Sequence, residues 1–388
     1  MASITGWERV RSIDVARGAV MVLMALDHVR VYSGIPAGGP EPAIFLTRWV
    51  TNFCAPAFVF FAGSSLFLYG ERIRDRAALS RWLVIRGAWL VLLELTFLRL
   101  AWTFNLDFAH YVLAGVIWML GWCMILMALF VHLPLTANAI LGLAIMAGHN
   151  LAAVALQSSQ DALLQGNFGW LWRILYFGGG VRFGDSGPPV LRVLYSIVPW
   201  IGVMQAGYAF GAVLRLAPER RRRICYAVGG AAIVAFVLAQ CVNVYRDPDS
   251  RLALWEQFLS ATKYPASFVF LAMTLGPTIA ALPLLEDARG RVAQWLTVFG
   301  RVPLFYYLLH IPLIHAVALG ISLIRSPAAT PWLFANHPMS PGPPPEGYAW
   351  SLGMLYFVTA AVVVALYFPC RWFAQLKSRR KDAWLSYL

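Results

Sequence analysis

An arginine and a histidine stand inside the first long apolar stretch, RSIDVARGAVMVLMALDHVRVYSG, from Arg11 to Gly34. Arg17 and His28 are eleven residues apart. On an α-helix, eleven steps return to within about 20° of the starting face and rise about 16 Å along the axis. Asp14, Met21 and Met24 fall close to the same stripe. One face of an apolar helix thus carries a guanidinium near one end and an imidazole near the other. Ionisable groups inside a hydrocarbon layer are costly and mark functional pathways. An imidazole in that setting can take a proton from a hydroxyl or amine, or attack an acyl carbon itself. Asp14, one turn away, is the expected partner of Arg17. Asp27 adjoins His28, but neighbouring helix residues point about 100° apart, so no direct Asp–His dyad is expected.

The helix that holds this stripe belongs to a membrane protein. The chain has 388 residues, 60% of them hydrophobic and 13% charged. Soluble domains carry about 25% charged residues. The net charge of +13 does not point to nucleic acid, because the basic residues lie in short loops between apolar spans. The five cysteines have no paired spacing and read as small core hydrophobes. No histidine pair has ligand spacing with a carboxylate, so no metal is expected. The N-terminal segment lacks a clear cleavage site for a signal peptide.

Windows of about 20 apolar residues place ten spans at 13–33, 44–69, 82–100, 109–130, 136–156, 191–214, 224–244, 264–285, 302–324 and 349–371. The expected fold is all-α: a polytopic transmembrane helix bundle of about ten spans, forming one domain over 1–388. Pro303 and Pro312 should kink the ninth span and Pro199 the sixth. With both termini cytoplasmic, about twenty of the 31 basic residues fall inside, including Arg9, Arg11, the run Arg72 to Arg86, Arg215 to Arg223 and Arg371 to Lys381. That split follows the positive-inside rule and suits a bacterial inner membrane. Two outer loops are long. The one at 157–190 has the aromatic content of an interfacial segment, and the one at 325–348 is proline-rich and irregular.

This orientation puts six of the seven histidines outside or in the outer half. Asn52, His149, Asn150, Lys263, Tyr264 and His310 are the candidate substrate-binding residues. His110 reads as a loop-end cap and His315 as structural. Glu94 is expected to pair with Arg99 or with another span. At the inner face, GERIRDRAALSRWLVIRG carries Arg72, Arg74, Arg76, Arg81 and Arg86. These residues set topology or clamp phosphate, which guanidinium groups bind bidentately. Arg72, Arg74 and Arg76, with Arg301, are the candidates to hold the phosphates of a cytoplasmic acyl-CoA.

Several stretches also resemble a known family. RSIDVARG, the run to MALDHVR, and FVFFAGSSLFL resemble the heparan-alpha-glucosaminide N-acetyltransferase-like membrane proteins. MAGHN, VPWIGVMQAGYAFG, KYPASFVFLAMTLGP and FGRVPLFYYLLHIPLIH are similar to its bacterial branch, so the likeness runs from about 11 to 316. The spacing of Arg17 and His28 also resembles the arginine–histidine motif of type-3 membrane acyltransferases. The resemblance implies transfer from cytoplasmic acetyl-CoA, or another acyl-CoA, to a sugar or glycan at the outer face. It makes His28 the catalytic histidine, with Arg17 supporting it or the pantetheine arm; Asp14 joins the candidate catalytic set as the expected partner of Arg17. In the lysosomal enzyme of that family the proposed catalytic histidine lies in the loop after this span, and an asparagine stands where His28 does. Here that loop, IPAGGPEPAIF, has no histidine. General-base transfer and a covalent acetyl-histidine both remain open, and so does a homodimer. The alternative function is a transporter or exporter of an anionic or glycan substrate, which buried Arg17 and broken helices would also suit.

Overall fold

The computed structural model describes residues 10–38, 41–182, 190–380 and 382–387. Arg9 and Lys381, counted above among the inner basic residues, lie outside the described residues, as do Gly39 and Pro40 and part of the first long outer loop. The chain is mostly helical. Its long helices are α1 (Arg11–Tyr32), α2 (Pro42–Thr51), α3 (Cys54–Ile73), α4 (Arg76–Leu93), α5 (Val116–Phe130) and α6 (Leu135–Leu156). They continue with α7 (Ile197–Phe210), α8 (Pro218–Arg246), α9 (Phe268–Glu286), α10 (Arg291–Arg301), α11 (Pro303–Arg325) and α12 (Leu352–Arg379).

Among the described residues, seven helical segments are long and apolar enough to cross a membrane. One of them is α2 and α3 taken together; the others include α6 to α9, α11 and α12. Three expected spans fall outside that set for physical reasons. Helix α1 carries its stripe of ionisable residues, α4 carries Arg76, Arg81 and Arg86, and α5 has only 15 residues. Leu143, Leu151, Val154, Leu238 and Phe357 face outward on the flanks of the bundle. Apolar side chains turned outward in this way are what a bilayer solvates. Cys241 is also exposed on α8 and is not the core residue expected; the other four cysteines are buried.

Glycines let the helices close on one another. Gly18 on α1 and Gly300 on α10 press against the backbones of Leu296 and Asp14, where a Cβ would overlap a carbonyl. Gly63 and Gly207 do the same for α3 and α7, and Gly87 and Gly121 for α4 and α5. Small residues are the usual means of close helix approach in membranes, where lipid supplies no hydrophobic drive. Helix α1 packs against α3, α9, α10, α11 and α12, so its polar stripe lies at the centre of the bundle.

Three expectations about breaks need correction. Pro303 does not kink a span; it takes the first position of α11, just after α10 ends. Pro199 lies in the first turn of α7. An N–H in the first turn has no intrahelical acceptor, so a proline there breaks nothing. The segments expected to begin the fourth and sixth spans are strands. β1 (Val112–Ala114) pairs in parallel with β3 (Leu191–Val193), and β3 pairs antiparallel with β2 (Gly179–Val181). This small sheet ties the long loop before α7 to the turn between α4 and α5.

Helix α4 extends through a π-helical turn, Glu94–Leu98, to Thr103. Glu94 does not pair with Arg99. Its Oε2 accepts the N–H groups of Ile117 (2.8 Å) and Trp118 (3.2 Å) at the start of α5, where helix N–H groups lack partners and a carboxylate is favoured. Arg99, fully buried, donates instead to the carbonyls of Tyr111 and Asp107 and to Oδ1 of Asn105.

Candidate functional site

Two polar centres lie along α1. The first is a cavity of about 370 Å³ at the basic end of the bundle. Asp14 and Arg17 on α1 open onto it, with Phe58, Ala62 and Ser65 of α3 opposite. Arg17 is held in place by α3: its Nη2 donates to the carbonyl of Phe61 (2.6 Å) and to the hydroxyl of Ser65. Arg72, Arg86, Arg215, Arg301 and Lys377 complete the wall. Six cationic side chains thus face a space with one lining carboxylate, Asp14. Met124, Leu120 and Leu304 supply an apolar part. A charged rim over an apolar interior suits a ligand with an anionic head and a less polar arm.

Of the four arginines expected to hold phosphate, Arg72 and Arg301 line this cavity and Arg74 and Arg76 do not. Those two border a separate hollow of about 280 Å³ with Glu71, Asp75 and Tyr208. The turn between α3 and α4 explains the split. Arg74 ends α3 with φ +60°. Asp75 then caps α4, its Oδ1 accepting the N–H groups of Ala77 (2.8 Å) and Ala78 (3.2 Å). Arg76 reaches the carbonyl of His132 at 2.9 Å. The chain reverses here, so a run continuous in sequence faces two ways.

The second centre is His28. Its Nδ1 lies 2.7 Å from Nε2 of His310 on α11. The ring of Trp102, at the end of the extended α4, meets His28 edge-on with centroids 4.8 Å apart. Tyr307 stands at 6.1 Å, nearly perpendicular. His310 is fully buried, whereas His28 is half-buried. The pair is not remote from the cavity. Leu304 lines the cavity, and His310 lies six residues further along α11, a rise of about 9 Å.

Beside His28, Asp27 joins no dyad. It takes Arg48 at 3.1 Å and Arg30 at 3.3 Å. Lys263 is buried, with its ammonium 5.4 Å from the ring centre of Tyr264. The Tyr264 hydroxyl reaches that of Tyr195 at 3.4 Å. Lys263 and Tyr264 precede α9 instead of beginning it.

The other expected substrate residues are not brought to His28. Nδ1 of His149 meets the Tyr176 hydroxyl at 3.2 Å, and Asn150 Oδ1 accepts the N–H of Phe268 (2.7 Å) at the start of α9. Both fasten the far end of α6 to its neighbours. Asn52 sits at the break between α2 and α3 and lines neither cavity. His110 pairs with Asp107 at 2.7 Å. His315 lies between the rings of Tyr32 and Phe104 and meets the Ala101 carbonyl at 3.0 Å, as a structural residue would.

Sequence reasoning missed Arg86, Arg215 and Lys377 as cavity residues, and Trp102 beside His28. Arg86 was visible in the arginine run, one helical face away from Arg76. Arg215 and Lys377 come from distant segments and carry no local signal. Among the described residues, no three His, Cys, Asp or Glu side chains gather as a metal site requires.

No curated protein matches the chain. The family model described as "Heparan-alpha-glucosaminide N-acetyltransferase, catalytic" matches residues 9–245, a stretch that holds Arg17, His28, Arg72, Arg86 and Arg215. The chain is an integral membrane protein and belongs to the heparan-alpha-glucosaminide N-acetyltransferase catalytic family.

Proposed function

We propose that this acetyltransferase-family protein takes an acetyl group from acyl-CoA on the cytoplasmic side and passes it to a sugar or glycan on the outer side. One observation carries the reading: α1 presents Arg17 to a cationic cavity at one end and His28 to a histidine partner further along. In this reading α1, α4 and α5 also cross the bilayer, giving ten spans with both termini in the cytoplasm. The excess of arginine at the cavity end supports that orientation, and a bacterial inner membrane is the proposed location.

The cavity would hold the CoA phosphates through Arg72, Arg86, Arg215 and Arg301. Their guanidinium groups provide paired donors for phosphate oxygens. The acyl arm would then run past Arg17 and the apolar lining toward His28. His28 would act as general base on the acceptor hydroxyl or amine as it attacks the thioester carbonyl. Lys263 and Tyr264 would border the approach of the acceptor.

The test is transfer of labelled acetyl from acetyl-CoA by the purified protein in liposomes, offered a panel of amino sugars and glycans, with His28→Ala alongside. The variant is expected to lose transfer while keeping its thermal midpoint. Full transfer by His28→Ala would remove His28 from the chemistry. Absence of acetyl-CoA binding by the unaltered protein would remove the donor.

A further inference from the structure

We propose that His310 is a positioning residue that fixes the tautomer of His28 and so makes Nε2 of His28 the reacting atom. The argument is a chain of hydrogen bonds that starts at a group unable to donate. Nδ1 of His310 lies 2.7 Å from the carbonyl oxygen of Tyr307 and 3.2 Å from that of Tyr306. A backbone carbonyl only accepts, so this nitrogen carries the hydrogen. The lone pair of neutral His310 is then on Nε2. That atom faces Nδ1 of His28 at 2.7 Å, so Nδ1 of His28 must be the donor. The remaining nitrogen of His28, Nε2, is left with a bare lone pair.

The ring geometry agrees. The two imidazole planes are inclined by only 21° and their centroids are 4.8 Å apart. That is nearly the largest separation a 2.7 Å contact allows, so the two nitrogens lie close to the line between the ring centres. This is an in-plane N–H···N bond and not a face-to-face stack. Nε2 of His28 makes no hydrogen bond among the described residues, and it is not one of the enclosed polar atoms without a partner. It therefore keeps accessible surface, and in this proposal a reactant meets it there. His310 lies behind it, with Tyr306 5.3 Å and Tyr307 4.9 Å away between ring centres, so it acts through His28 and not on substrate. His310 also lies beyond the residues that match the family.

This inference rests on the acyl-transfer reading above. In the step, the acceptor oxygen or nitrogen forms a bond to the acyl carbon as Nε2 of His28 takes its proton. The carbon–sulfur bond of the thioester breaks and its electron pair leaves on sulfur. His28 is then an imidazolium, and its Nδ1–H shares the charge with His310 and the Tyr307 carbonyl. Nε2 finally gives its proton to the thiolate, which leaves as CoA. Without His310, nothing holds the hydrogen on Nδ1. An unrestrained imidazole prefers it on Nε2, which blocks the base.

The experiment is ¹⁵N NMR of the full chain labelled at histidine, in lipid nanodiscs at neutral pH, with His28→Asn to identify the His28 signals. The expected result is a protonated Nδ1 and an unprotonated Nε2. In His310→Phe the His28 signal should move to the Nε2–H tautomer. Its kcat for acetyl transfer should fall about 10²-fold, with KM for acetyl-CoA unchanged. His310→Gln, whose side-chain carbonyl can accept from Nδ1, should keep the tautomer and recover most of the rate. An Nε2–H tautomer in the unaltered protein would overturn the proposal, as would His310→Phe with both tautomer and kcat unchanged. If His310→Phe does not fold, the unaltered protein's tautomer and His310→Gln decide. An Nδ1–H tautomer beside full transfer by His28→Ala places the failure in the acyl-transfer reading. An Nε2–H tautomer beside transfer lost in His28→Ala places it in the pair.

Discussion

At the scale of residues, the cavity separates arginines that look equivalent in sequence. Arg301 and Arg72 face it, and Arg76 faces the carbonyl of His132 elsewhere. A hydrogen bond to a charged group contributes about 1.5–3 kcal/mol when both partners are present, which is on the order of a 10- to 100-fold change in affinity. Arg301→Ala is therefore expected to raise the KM for acetyl-CoA by at least about tenfold, while Arg76→Ala leaves it unchanged. Steady-state kinetics on the two variants check this, and equal effects would mean that the cavity is not the phosphate site. The stripe of Arg17 and His28 was legible because both sit on one helix, and helix geometry is local. The partner of His28 was not, because that contact joins residues 282 apart. His310 could be named as a polar residue in a span, but only the packing of α11 on α1 assigns it to His28.

At the scale of elements, the position of Arg17 depends on how closely α10 approaches α1. Gly18 and Gly300 are the contact, and what a Cβ would strike at each is backbone. A flexible side chain can move aside, but a packed helix backbone cannot, so overpacking should cost at the upper end of the usual 1–3 kcal/mol. Gly300→Val is expected to lower the thermal midpoint and to weaken acetyl-CoA binding, since Asp14 lies at the contact and Arg17 one turn beyond. Gly230→Ala on α8, where a Cβ would meet open space, is the control: it should leave binding unchanged and should not lower the thermal midpoint, since alanine is the better helix former. Parallel melts and binding titrations decide; a Gly300→Val protein as stable as the control would refute the close crossing. The long apolar helices were legible from hydropathy because each buries a whole surface in lipid or protein. The three-residue strands were not, because so short a segment has no period to read. Pro303 was misread for a different reason: the expected span began beside it, at 302, and the first position of a helix tolerates proline without a kink.

At the scale of the molecule, the end opposite the cavity is closed by the loop between α11 and α12, which folds back onto α1. The Tyr348 hydroxyl donates to the carbonyl of Tyr32 at 2.7 Å, and the Trp350 N–H to that of Ser33 at 2.9 Å. Tyr111 donates to the carbonyl of His337 at 2.9 Å, and Asn105 to that of Phe334 at 2.6 Å. The proline-rich loop is not wholly irregular: it forms two short helical turns, Pro327–Ala329 and Thr330–Leu333, and hydrogen bonds from three other parts of the chain hold it down. His337 is buried in this loop beside Trp332 and Tyr32, and burial pushes its pKa down to about 4. With an ordinary value of about 6.5 in the opened loop, the open state binds more protons than the docked state between those two values. The docked loop is then fully stabilised by this group only above about pH 6.5, and it loses stability as pH falls toward 4. At pH 5 the loss is about 2 kcal/mol. Amide hydrogen exchange across 326–350 should therefore quicken at pH 5 relative to pH 7, once corrected for the intrinsic pH dependence of exchange, while α8 is unchanged. His337→Gln, which can still donate to the Trp332 carbonyl that His337 meets at 3.1 Å, should remove the difference. Equal corrected protection at both pH values in the unaltered protein would show that His337 does not control the docking of the loop over the His28 end of the bundle.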